Sequence, residues 1–252
     1  MMCRKDYHIH TAFSDGEDAP EQIVLAAIEK GMTEIGFSDH SYISYPSDIV
    51  YWLKKETEPA YKAEIARLKE KYKEKIKILC GIEQDYYSDH AACGYDYIIG
   101  SVHFLKADGF LIAVDHDKEY LSKNLKHFGG DIYSFAEEYY KLLRNVVAET
   151  KCDIIGHFDL VSKYNEQSFI FDENHPRYIK AWKTAADTLL KTGKPFEINF
   201  GAVAKGLKTH PYPSREIISY LKERGGKFIL SSDAHKKENL CYNFDKTIDL
   251  QN

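Results

Sequence analysis

The chain has 252 residues, 44% of them hydrophobic and 29% charged, with a formal net charge of −5 at pH 7. That composition is ordinary for a globular protein with a sizeable core, and the acidic balance leaves no electrostatic footprint for nucleic acid. No apolar run approaches the roughly 20 residues a membrane span needs, so neither a nucleic acid nor a membrane is an expected partner.

In chain order the sequence reads as short apolar strands alternating with amphipathic helices. CRKDYHIH, residues 3–10, is the first strand, entered without a signal-peptide pattern. PEQIVLAAIEKG, 20–31, reads as a helix with Pro20 in its first turn and Gly31 at its end. TEIGFSDH, 33–40, is a second strand and 58–74 a charged, exposed helix. IKILCGIE, 76–83, and YDYIIGSVH, 95–103, are the third and fourth strands. Residues 104–131 show no clear periodicity and read as an insertion or long loop, with a covering role over a site left open. Residues 131–150 carry the clearest helical stripe, with apolar side chains at 132, 135, 136, 139, 142, 143, 146 and 147. CDIIGHF, 152–158, is the fifth strand. A helix over 175–193 follows, with Tyr178, Ala181, Trp182, Ala185 and Leu189 on one face. PFEINF, 195–200, a helix over 214–225, and KFILSSDAH, 227–235, complete the pattern. Such alternation gives a mainly parallel sheet. Seven such strands in one chain of this length, with no linker, favour a closed or nearly closed barrel in a single α/β domain over residues 1–252.

The polar residues fall at the strand ends. His8 and His10 alternate around one isoleucine, so on a strand both imidazoles aim at one spot. Asp15 follows five residues later. The second strand ends in Asp39-His40, the third in Glu83, the fourth in His103, the fifth in His157 with Asp159 beyond it, and the seventh in Asp233 and His235. Singly each has an ordinary reading, such as a cap at Asp39 or Asp233 or an exposed turn at Glu83. Together they fall on the carboxyl ends of parallel strands, the rim where such barrels place their active sites. Six imidazoles and several carboxylates on one rim point to metal ions. His90, His127, His175 and His210 read as surface residues, and His116 as one that could reach the cleft. The five cysteines, at 3, 80, 93, 152 and 241, form no CxxC pair. Reduced thiols in a cytoplasmic protein are expected, with Cys3, Cys80 and Cys152 packed in or beside apolar runs.

The motifs DYHIHTAFSDG, GFSDHS, GIEQDY, YIIGSVHFL, IIGHFDLV, EINF with a following YPS, and SSDAH run in order from residue 6 to 235. In this the sequence resembles the PHP (polymerase and histidinol phosphatase) superfamily, most closely its histidinol-phosphatase branch. The resemblance implies a distorted (β/α)7 TIM-like barrel with two or three divalent ions of zinc, manganese or iron. It implies one ion on His8, His10, Glu83 and Asp233, a second sharing Glu83 and adding His103 and His157, and a third on Asp15, His40 and His235.

Close metal ions suit phosphoester hydrolysis, since they turn bound water into hydroxide and clamp phosphoryl oxygens. The expected activity is hydrolysis of L-histidinol phosphate by a metal-bridging hydroxide, with Glu83 and His235 counted as catalytic as well as metal-ligating. Asp159 is the expected proton donor to the leaving alkoxide. Arg215, Lys163 and Lys205 are the expected phosphate-binding residues, Arg215 foremost for its forked guanidinium. The segment FGAVAKGLKTHPYPS after the sixth strand departs from the family in detail. Alternatives are another small phosphomonoester, a nucleotide phosphodiester or protein phosphotyrosine as substrate, or a PHP barrel that binds metal and ligand without turnover. An amidohydrolase would want a metal-bridging lysine at a strand end, and none of the strands ends in one.

Overall fold

Seven strands pair in parallel, and helices on the connections pack against the outside of the sheet, except between the third and fourth strands, where no helix lies among the described residues. The computed structural model describes residues 4–89 and 93–247. The strands are β1 (Lys5–Asp6), β2 (Glu34–Phe37), β3 (Lys77–Asp85), β4 (Tyr97–Ser101), β5 (Phe104–Ala107), β6 (Phe110–Ala113), β7 (Ile154–Ile155), β8 (Phe196–Asn199) and β9 (Phe228–Ser231). The helices are α1 (Pro20–Glu29), α2 (Glu58–Tyr72), α3 (Lys118–Asn124), α4 (Ile132–Leu143), α5 (Val146–Thr150), α6 (Asn165–Ser168), α7 (Pro176–Leu190), α8 (Gly201–Ala204) and α9 (Arg215–Glu223). The sheet order is β1-β2-β3-β4-β7-β8-β9. Its two edges meet where Ile9 bridges Ala234: His10 N–H donates to Ala234 O at 2.9 Å and Ala234 N–H to His8 O at 3.1 Å. The result is the nearly closed seven-stranded (β/α)7 barrel that the sequence pattern anticipated.

Local sequence explains the helices. Pro20 occupies the first turn of α1, and the Gln22 side chain accepts from Ala19 N–H at 3.0 Å. Gly31 takes φ 70° just beyond it, a conformation that stops a helix. The long stripe at 131–150 is two helices rather than one. The chain breaks at Arg144–Asn145 between α4 and α5, yet Phe135, Ala136, Tyr139, Leu142, Leu143 and Val146 all remain buried. These side chains pack with Trp182, Ala185 and Leu189 of α7 against Ile155 and Phe196. On the other side of the barrel Ile23, Val24, Ile65 and Leu68 of α1 and α2 pack on Ile35 and Ile78.

Residues 104–131 are not a loop. β5 and β6 form an antiparallel hairpin, followed by α3, whose first turn is capped where Asp117 accepts from Tyr120 N–H. The connecting Asp108 and Gly109 both have positive φ, 50° and 83°, as a two-residue turn of that kind requires. The hairpin returns the chain to the barrel rim, since Val114 N–H donates to His103 O at 2.9 Å.

Inside the barrel, at the level of β2 and β3, the Tyr97 ring lies flat over two glycines. A Cβ on Gly36 would stand 2.4 Å from the Tyr97 hydroxyl, and one on Gly81 would stand 2.3 Å from its Cζ. The hydroxyl donates to Tyr7 O at 2.6 Å and Phe37 O at 3.1 Å. Cys80 and Cys152 are buried free thiols and Cys93 an exposed one. Cys241 is disulfide-bonded, contrary to the expectation that all five thiols are reduced. The readings for Cys3 and His90 lie outside the described residues.

Candidate metal centre

The strand ends deliver nine metal-capable side chains to one rim. His8 and His10 straddle Ile9, whose own side chain is buried in the core behind them. Asp233 follows β9 and takes φ 49°, which brings its Oδ1 within 3.1 Å of His10 Nε2 and 3.7 Å of His8 Nε2. Glu83, near the end of β3, stands at the centre. Its Oε1 is 2.8 Å from His157 Nε2 and 3.3 Å from His103 Nε2, and accepts from Ser101 Oγ at 2.5 Å. Its Oε2 is 2.9 Å from His40 Nδ1, 3.3 Å from His8 Nε2 and 3.6 Å from His10 Nε2. Asp15 meets His235 Nε2 at 3.1 Å, His10 Nδ1 at 3.6 Å and His40 Nε2 at 3.7 Å.

Three overlapping groups have ligand atoms close enough to share an ion: His8, His10 and Asp233; His40, Glu83 and His103; and His10, Asp15, His40 and His235. These groups put His40 beside Glu83 and His103 and His10 beside Asp15, while His157 reaches the cluster through Glu83.

The donor atoms fit a metal better than they fit one another. His8 Nε2, both ring nitrogens of His10, Glu83 Oε2 and His157 Nδ1 are buried without a hydrogen-bond partner, which is costly unless something else satisfies them. Burial, together with His235 and His40 alongside, pushes His10 down to about 3, so its imidazole is neutral and its lone pairs are available. Burial opposes the charge on Glu83, but His103, His8 and His40 outweigh it and hold the carboxyl well below the usual range. His10 and Glu83 are thus in the states metal ligands need, whereas, against burial, Glu197, Asp233 and Glu83 push His8 up and Glu83 and Asp85 push His103 up, so these two would release protons on binding an ion.

A second layer of carboxylates holds the imidazoles in place. Glu197 of β8 lies 2.7 Å from His8 Nδ1 and accepts from His157 N–H at 3.0 Å. It thereby turns His8 Nε2 toward the cluster. Asp85 accepts from His103 N–H and meets its Nδ1 at 3.2 Å. Asp39 is not a helix cap. It accepts from the N–H and Oγ of both Thr11 and Ser14 and so fixes the turn that carries Asp15. Glu197→Gln keeps the shape but can present the wrong group to His8. Metal affinity and turnover are expected to fall about 10- to 100-fold with the fold intact. Metal titration of the variant checks this, and wild-type affinity would refute the orienting role.

The expected substrate residues divide. Lys163 and Lys205 line the cleft over the cluster. Lys163 Nζ is 2.7 Å from Asp115 Oδ2, and Lys205 Nζ is 3.4 Å from His235 Nε2. Arg215 does not line this cleft. It is exposed at the start of α9 and faces a separate hollow with Lys208, Glu166 and Glu173. Asp159 is fully buried behind the cleft wall, where its Oδ2 accepts from Ser214 N–H at 2.9 Å and burial pushes its carboxyl up to about 6. His116 packs on the Tyr120 ring, away from the cleft lining. Tyr51, Asp115 and Tyr212 line the cleft without having been anticipated. Glu197 carried a usable signal, a carboxylate between apolar residues of its strand, whereas Asp85 follows Glu83 and Gln84 at the polar end of β3.

A parallel barrel with six imidazoles and three carboxylates converging at its carboxyl rim defines a metal-dependent hydrolase. The profile of the PHP domain matches residues 6–200. The chain belongs to that family. Histidinol-phosphatase of Lactococcus lactis subsp. lactis (strain IL1403) is 31% identical over 252 residues, spanning 93% of this chain and 85% of the relative. The Bacillus subtilis (strain 168) histidinol-phosphatase is 26% identical over 97% of this chain and 98% of its own length. Among solved structures, a candidate histidinol phosphatase from Listeria monocytogenes shares the fold with a TM-score of 0.83 at 20% identity, over 96% of this chain and 99% of that one. Histidinol phosphate phosphatase from Lactococcus lactis, complexed with zinc, L-histidinol and phosphate, has a TM-score of 0.72 at 25% identity, over 98% and 92% of the two chains.

Proposed function

We propose that this protein is a metal-dependent phosphomonoesterase that hydrolyses L-histidinol phosphate to L-histidinol and phosphate, a step of histidine biosynthesis, in the cytoplasm. Residues 1–252 act as one catalytic domain. The observation that carries the reading is the nine-residue cluster with its unsatisfied buried donor atoms; the zinc, L-histidinol and phosphate of the Lactococcus lactis structure support the choice of substrate. That no helix among the described residues is long and apolar enough to cross a membrane agrees with a small-molecule enzyme.

His8, His10, Asp15, His40, Glu83, His103, His157, Asp233 and His235 would hold two or three ions of zinc, manganese or iron. Such ions, when bound, supply an activated water and neutralise charge on the phosphoryl oxygens. The rest is done by the chain. Lys163 and Lys205, both lining the cleft, bring ammonium groups to the phosphoryl group. Glu83 spaces the imidazoles on either side of it, and its two oxygens face different groups of them. That Lys163 and Lys205 line the cleft while Arg215 and Asp159 stand off it supports the lysines as the phosphate-binding residues. Asp159→Asn is expected to slow an alkyl ester and nitrophenyl phosphate by the same factor. A larger effect on the alkyl ester, which has the poorer leaving group, would give Asp159 the role of proton donor.

The test is phosphate release from L-histidinol phosphate by protein purified without chelator, with manganese, zinc or iron added back, beside a panel of other phosphomonoesters. A kcat/KM of roughly 10⁴ M⁻¹s⁻¹ or more, well above the panel, is expected. Metal-loaded protein that prefers another ester would overturn the substrate while leaving the metal centre.

A further inference from the structure

We propose that Asp115 recognises the ammonium group of the substrate, so that the cleft is matched to amino-alcohol phosphates and not to phosphate esters in general. The inference rests on the function proposed above and deepens it. Asp115 follows β6, and the hairpin brings it to the rim beside His103. It belongs to none of the three metal-capable groups, yet it lines the same cleft. Its side chain and that of Lys163 are mostly buried, at 14% and 16% exposure, and they pair at 2.7 Å. The wall between the metal cluster and solvent therefore carries one negative and one positive charge in contact.

An amino-alcohol phosphate carries the same two charges in reverse. Its ammonium sits on the carbon next to the one bearing the ester oxygen, so it must lie close beside the phosphoryl group. A phosphoryl group over the metal cluster draws Lys163, and the substrate ammonium then takes the place of that lysine on Asp115. One ion pair becomes two, and neither buried charge is left unmatched. A phosphate ester without the amine draws Lys163 equally and leaves the Asp115 carboxylate buried without its partner, which is the penalty that discriminates. A second observation marks this wall as built for a polar ligand. The Tyr51 hydroxyl, on the same cleft wall, is buried with no hydrogen-bond partner, its ring held against Phe104 and His40.

The experiment compares kcat/KM for L-histidinol phosphate with that for imidazolylpropyl phosphate, the same ester lacking the amine. The wild-type ratio is expected to favour the amine about 10- to 100-fold. The ratio collapses toward one in Asp115→Asn, which is isosteric, and in Asp115→Ser, while Asp115→Glu keeps part of it. Using a ratio removes any general loss of activity from the comparison. A wild-type preference for the amine that persists in Asp115→Asn or Asp115→Ser overturns the role of Asp115. No wild-type preference, with L-histidinol phosphate still turned over well, also overturns recognition of the amine, whereas poor turnover of both esters by metal-loaded protein overturns the substrate itself.

Discussion

Glu83→Gln is expected to lower kcat/KM by about 1,000-fold and to reduce the metal bound per chain, with little change in the fold. Both carboxylate oxygens are engaged, Oε1 toward His157 and His103 and Oε2 toward His40, His8 and His10. Glutamine preserves volume and keeps one oxygen for Ser101 Oγ, so the packing around β3 has no reason to move. It replaces the other oxygen with an NH2 group, which donates hydrogen bonds and cannot ligate a cation. It also removes a carboxylate whose two oxygens face five imidazoles of the cluster. Metal analysis of the purified variant, phosphate release and the unfolding midpoint together check this. A variant that binds its full metal complement and turns over at the wild-type rate would show that Glu83 is not at the centre of the site.

The second large effect falls on stability. Gly81→Ala is expected to cost about 3 kcal/mol. The new methyl would sit 2.3 Å from Tyr97 Cζ and 2.4 Å from Cε1, far inside van der Waals contact. A flexible side chain would step aside, but this ring cannot. Its hydroxyl is tied to the carbonyls of Tyr7 and Phe37, and the same ring also covers Gly36. Either β3 shifts against β4 or two buried hydrogen bonds break. Denaturant unfolding of the variant measures the loss. A change below about 1 kcal/mol would mean that the barrel interior yields more easily than close packing allows.

Much of this architecture was legible because barrel strands buried on both faces read as apolar runs, and because their ends carried residues that apolar runs do not. HIH, SDH, GIE, SVH, GH and SDAH each stop a strand with a group that belongs at a polar rim. The hairpin after His103 was lost for a different reason. FLKADGFLIA contains an Asp-Gly pair between apolar stretches, a strong hairpin signal, but its four-residue strands are too short to show a period of their own. With the hairpin went Asp115, since only the returning strand brings it to the rim. Tyr212 stood in the YPS motif but carried no sign of its place in the cleft, and Tyr51 had no pattern at all, because each reaches the cleft from an irregular segment whose path depends on tertiary packing. Arg215 misled in the other direction. It opens a helix after the sixth strand, as a phosphate clamp would, but the helix faces the neighbouring hollow.

The barrel begins and ends at the same place. β1 and β9 join through the Ile9–Ala234 bridge, whose flanking residues are His8, His10, Asp233 and His235, and the first three of these form one metal-capable group. A cation gripped by those three side chains is also a clasp between the two ends of the ring, closing a circuit that runs through almost the whole chain. Two backbone hydrogen bonds contribute about 1 kcal/mol each at the seam. A ligand present at a hundred times its dissociation constant contributes about 2.7 kcal/mol to the closed form. The fastener is then stronger than the stitching. An ion held there would fasten the ring at that seam, so its supply would bear on how long the folded protein survives as well as on how fast it works.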